Sequence, residues 1–157
     1  MLGNAKVEAI SLIQTSASLF EDGYDERIKA LITEHTGAPA YTSAEAIGAA
    51  ARALGTRKIA LVSPYSEQVI GQAKNYFEAD CALEVVAMEG FGATDAYAIG
   101  ALDESHAVEA FERVDSPEIE ALVVPGGNLP TMRHIASWEA RFEKPVITTN
   151  QVVLWSM

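Results

Sequence analysis

The chain has 157 residues, 49% of them hydrophobic, which is enough for one ordinary domain with a real core. Its net charge of −11 opposes nucleic acid and anionic membrane as partners. No run of about 18 uncharged apolar residues is present to span a bilayer, and the opening MLGNAKVEAI lacks the basic start and apolar block of a secretory leader. The expected compartment is the cytoplasm. The single cysteine, Cys81, can form neither an internal disulfide nor a cysteine-based metal site. It reads as a small apolar residue near a helix end.

In chain order, VEAISLIQTS (7–16) reads as a strand running into a turn. Residues 25–36 read as a helix with Ile28, Leu31 and Ile32 on one face and Gly37 as its stop signal. The stretch GAPAYTS near 38–42 suggests a boundary, after which Ser43 can cap a helix over 44–54 that ends at Gly55. RKIALVSPY (57–65) is a continuous apolar strand of the kind buried on both faces of a parallel sheet. A helix follows from Ser66 to about Ala79, and then the strand LEVVAM (83–88).

Residues 89–101, EGFGATDAYAIGA, form a glycine-rich loop ahead of a helix over about 104–114. The next strand spans 119–124, the next helix 131–142, and PVITTN (145–150) is the last strand. Four strands from Lys58 onward, separated by helices, predict a flavodoxin-like, doubly wound parallel α/β sheet. The strand and helix before residue 41 look like part of a second lobe of the same type. The expected division is 1–40 as the partial first lobe, 41–150 as the complete second lobe, and 151–157 as the start of a C-terminal helix.

In an open parallel sheet, ligands sit beyond the carboxyl ends of the strands. Those ends here read IQTSAS, VSPYSE, VPGGN and VITTN, hydroxyl- and glycine-rich turns whose free amides suit a small anion.

Four blocks in the same order, SLIQTSASLFEDGYDERI, TGAPAYTSAEAIGAAARALGTRKIALVSPY, GFGATDAYAIGALD, and ALVVPGGNLPT followed by KPVITTNQVVLW, cover essentially the whole chain. Together they resemble the aspartate/glutamate racemase superfamily, and more closely the branch of arylmalonate decarboxylase and maleate cis-trans isomerase. The resemblance implies a cofactor-free enzyme with two similar lobes and a cleft between them. There a small carboxylate, malonate- or maleate-like, is gripped by hydroxyl and backbone donors that stabilise an enediolate.

By position, those donors fall on Thr15, Ser16, Tyr65 and the Gly127 amide, with Asn150 a further polar contact. The acid–base cysteines of the family fall on Gln14 and Gly126. A glutamine amide has no accessible proton equilibrium and glycine has no side chain, so the usual acid–base step is missing. Two readings follow: an isomerase or decarboxylase with another proton carrier, for which Tyr65 is a candidate, or a carboxylate-binding protein without chemistry. His134 and Asp95 are weaker candidates, and His35 and His106 read as exposed helix residues. The resemblance also implies a further strand and helix ahead of Val7. A homodimer is the expected assembly, because it would cover the open edge of the first strand.

Overall fold

The structure is a computed structural model that describes residues 6–93 and 95–157. Met1 to Ala5, included above in the reading for a leader, and Thr94 of the glycine-rich loop lie outside the described residues. Two parallel sheets carry the chain. The smaller pairs β1 (Ile10–Leu12) with β2 (Ala40–Thr42), and between them run a 3-10 helix (Thr15–Leu19) and α1 (Tyr24–Thr36).

The larger sheet contains β3 (Lys58–Ser63), β4 (Glu84–Gly90), β5 (Ala121–Val124) and β6 (Val146–Thr148), in the order β4-β3-β5-β6. All of its pairings are parallel. The helices are α2 (Ser43–Leu54), α3 (Glu67–Ala79), α4 (Ala96–Gly100), α5 (Glu104–Val114), α6 (Ile135–Phe142) and α7 (Thr149–Ser156). The flavodoxin-like expectation is therefore met, with β3 and β5 central.

Both faces of the large sheet are buried because its strands alternate between two apolar layers. Ile59, Leu61 and Val123 face Ile47 of α2 and Ile70 and Phe77 of α3. Ala60, Val62 and Leu122 face Phe111 of α5 and Trp138 of α6. Phe77, Phe111 and Trp138 are all fully buried, and each contributes about 1.5–3 kcal/mol by the usual area scale. This packing fixes the strand ends, and with them the turns that follow.

Several local expectations are corrected. Residues 40–42, to which no element was given, hold β2; three residues are too few for an alternating pattern to register. The strand at 7–16 is confined to Ile10–Leu12, and its turn winds into the 3-10 helix. Ser43 makes no capping bond: Thr42 stands at the cap position and Ser43 turns inward. The loop at 89–101 is part strand and part helix, since β4 runs to Gly90 and Asp95 caps α4. Thr149 and Asn150, read as strand, open α7, where Thr148 and Gln151 form a capping box. The helix expected from 131 begins at Ile135, after a turn. In α1 the expected apolar face is not buried: Leu31 is 49% exposed, and Asp25 is the helix's buried residue.

Candidate functional site

Five turns meet at the carboxyl ends of the strands, as an open parallel sheet requires. The turn after β1 contributes Thr15 and Ser16, and the start of α2 after β2 contributes Ser43. Pro64 and Tyr65 follow β3, Gly126 and Gly127 follow β5, and Thr149 and Asn150 follow β6. At the centre is a chain of hydroxyls. Thr15 Oγ1 lies 2.8 Å from Ser43 Oγ and 2.9 Å from Thr149 Oγ1. Thr149 Oγ1 in turn accepts the Gly126 N–H at 2.9 Å. Thr15, Ser43 and Thr149 are each 1% exposed, so their hydroxyls find partners chiefly in one another.

Tyr65 completes the cluster. Its hydroxyl lies beside those of Ser16 and Thr15 and the Ser16 backbone. Burial raises its pKa above the ordinary tyrosine value, and those hydrogen bonds offset only part of the rise. The phenol therefore stays protonated and serves as a donor. Ser63 ties two turns together: its hydroxyl donates to the Pro125 carbonyl at 3.2 Å and accepts the Tyr65 N–H at 3.2 Å.

Two glycines let the turn after β5 approach so closely. A Cβ on Gly127 would lie 2.8 Å from the Ile13 carbonyl oxygen, so only glycine fits there without a shift of backbone. Gly126 has φ +134°, a conformation L side chains rarely adopt. The Gly127 N–H has no protein acceptor among the described residues, which leaves it available to an anion.

Of the residues expected from sequence, Thr15, Ser16, Tyr65 and Gly126 are brought together, with Gly127 at the lip. Gln14 is exposed at the start of the 3-10 helix. Asn150 uses its Nδ2 to donate to the Leu129 carbonyl at 3.0 Å, which pins the Pro-Gly-Gly loop to α7. Asp95 accepts from the Tyr97 and Ala98 amides as a helix cap. His134 stacks on Trp138, faces Glu104 at 3.1 Å and accepts from Arg133, while His35 and His106 bond locally to Leu31 and Asp103.

Sequence reasoning missed Ser43, Ser63 and Thr149. Thr149 stands next to Asn150 in VITTN, and a hydroxyl at a strand's end was the available signal.

A cavity of about 840 Å³ borders the same 3-10 helix. It is lined by Ser18, Asp25, Glu45, Arg52, Tyr76 and Cys81. Its link to the cluster is structural: Asp25 accepts from Ser18 Oγ and Tyr76 OH, each at 2.6 Å, and so anchors the far end of the turn that carries Thr15. No group of three or more His, Cys, Asp and Glu able to hold a metal occurs among the described residues, and none of their helices is long and apolar enough to cross a membrane.

The arylmalonate decarboxylase family profile matches residues 1–157. The arylmalonate decarboxylase of Bordetella bronchiseptica is 27% identical over 151 residues, which cover 93% of this chain and 62% of that protein. The chain thus spans less than two thirds of that relative's length. A crystal structure of arylmalonate decarboxylase matches with TM-score 0.84 at 25% identity, over 99% of this chain and 69% of that one. A cysteine-to-alanine variant of the maleate isomerase of Pseudomonas putida S16, solved with maleate, matches in fold with TM-score 0.90 at 24% identity, over 99% and 65%. The chain belongs to the arylmalonate decarboxylase family, in the branch of the aspartate/glutamate racemase superfamily that includes maleate isomerase.

Proposed function

We propose that this chain binds a small dicarboxylic acid, malonate- or maleate-like, at the carboxyl ends of β1, β3 and β5. The observation that carries the reading is the convergence of neutral donors from separate turns: Thr15, Ser16, Tyr65 and the Gly127 amide. Such a set stabilises carboxylate and enediolate oxygens without a counter-charge. A relative of the same fold was solved with maleate, which supports the ligand class. Asn150 supports the site by holding the Pro-Gly-Gly loop.

With Gln14 and Gly126 at the positions of the family's cysteines, the grip is retained while proton delivery is altered or lost. Family membership favours a second reading, a cofactor-free isomerase or decarboxylase in which the bond to the departing group breaks, its electron pair enters the enediolate, and a proton returns to carbon. Tyr65 is the proton-bearing group at the cluster for that step. Its raised pKa makes it a weak acid, so slow turnover is the most this arrangement supports. The same reading takes the protein to be a cytoplasmic homodimer that covers the open edge of β1, and light scattering after size exclusion checks the dimer.

Proton NMR of malonates, maleate, aspartate and glutamate in D₂O, with the unmodified protein, tests the proposal. The expected result is line broadening of the dicarboxylates with little solvent deuterium entering carbon. Rapid isomerisation, CO₂ loss or deuterium uptake would establish the enzyme reading, and absence of any broadening would refute the site.

A further inference from the structure

Counting the protons in the buried hydroxyl chain gives it a direction. A serine or threonine hydroxyl has one proton and two lone pairs, whereas a backbone N–H can only donate. Thr149 Oγ1 therefore accepts from Gly126. Its own proton then has one partner among the described residues, Thr15 Oγ1. Ser43 Oγ has the same single partner, so donating to Thr15 is the one arrangement that pairs its proton. With both lone pairs filled, Thr15 must aim its proton in a third direction, toward the side where the Tyr65 hydroxyl lies. All three residues are 1% exposed, so a hydroxyl left without a partner in this chain is costly.

We infer that Thr149 and Ser43 are positioning residues that fix Thr15 as an obligate hydrogen-bond donor to the ligand, and so select acceptor-only carboxylates against groups that carry N–H. The inference rests on the carboxylate reading above and deepens it. The backbone amide of Gly126 sets the polarity of the chain, and two buried hydroxyls pass it to the turn after β1. An amide nitrogen brought to Thr15 would then meet a proton in place of a lone pair, leaving a buried donor unpaired.

The test compares malonate with malonamate, in which one carboxylate is a primary amide, by NMR titration. The unmodified protein should favour malonate by about tenfold or more. Thr149→Val, close in shape but without the hydroxyl, frees Thr15 to accept and should bring the preference below about threefold. Thr149→Ser should restore the preference, and Ser43→Ala should lower it with less risk to folding. A merely structural role would weaken both ligands together and leave their ratio unchanged; that outcome in folded Thr149→Val and Ser43→Ala overturns the inference.

A second readout needs no ligand. Exchange of the Gly126 amide proton should accelerate in Thr149→Val and stay slow in Thr149→Ser; no change in either overturns the relay. If Gly126 behaves as expected while the unmodified protein binds neither acid, the carboxylate reading has failed, and the ligand-selecting role of Thr149 and Ser43 with it.

Discussion

Pro64 occupies the space in front of Gly126: a Cβ added at residue 126 would lie 3.0 Å from both Pro64 Cγ and Pro64 Cδ. The position at which the sequence resemblance leads one to expect an acid–base cysteine is thus closed here from two sides, by the proline ring and by a φ of +134°. Gly126→Cys alone should destabilise the fold by about 1–3 kcal/mol, through backbone strain and overpacking. Adding Pro64→Ala should recover part of that loss. Solvent deuterium exchange at the α-carbon of a bound malonate should be gained in the double variant rather than the single. Urea unfolding and NMR check the two halves, and a single variant as stable as its parent would contradict the packing described.

Tyr65 gives a separate test of the donor set. Burial raises the pKa of its phenol, so the donor stays neutral wherever an ordinary tyrosine does. Carboxylate affinity should then be flat between pH 6 and 9. Tyr65→Phe should weaken binding by about tenfold, the worth of one hydrogen bond to a charged acceptor. A binding curve that titrates in this range would point to a different donor.

The fold was legible because β3 and β5 are unbroken apolar runs, and because Gly37 and Gly55 mark helix ends. Strand β2 was not, since three residues cannot declare a period. Among the residues of the candidate cluster, Thr15, Ser16 and Tyr65 could be picked out by resemblance, and the structure brings them near one another. Ser43 and Thr149 could not be found this way: a serine at a helix start and a threonine at a strand end each have an ordinary capping explanation. Only three-dimensional contact shows their hydroxyls pointing at Thr15. The exposed Leu31 shows the converse, because helical periodicity announces an apolar face without stating what covers it.

Asp25 holds the turn that carries Thr15, though it lies outside the cluster. Its buried carboxylate takes two hydroxyl donors, from Ser18 and Tyr76, and contact with it helps to push the Tyr76 pKa up, after burial itself. Asp25→Ala would leave both donors unpaired, at a cost of about 2–4 kcal/mol. Asp25→Asn keeps one acceptor and should cost less. Both variants should also weaken carboxylate binding, since Ser18 and Thr15 belong to one 3-10 helix; intact binding in a folded Asp25→Asn would separate the anchor from the site. Thermal unfolding and malonate titration give the two measurements.

Cys81 should make stability depend on pH on the alkaline side. Burial, opposed by Arg52 and reinforced by nearby Asp80, Asp25 and Glu45, raises its thiol from an ordinary 9.0 to about 11. Between those values the unfolded chain loses the thiol proton while the folded chain keeps it, so the unfolded state binds fewer protons and stability falls as pH rises. Below pH 9 this contribution is fully present. It should decline through the window up to about 11, with a slope of at most about 1.4 kcal/mol per pH unit. Cys81→Ala should flatten the slope between pH 9 and 10, before the tyrosines of the unfolded chain ionise. Urea midpoints measured at half-unit steps in that range decide it, and parallel curves for the two proteins would show that the buried thiol does not govern the decline.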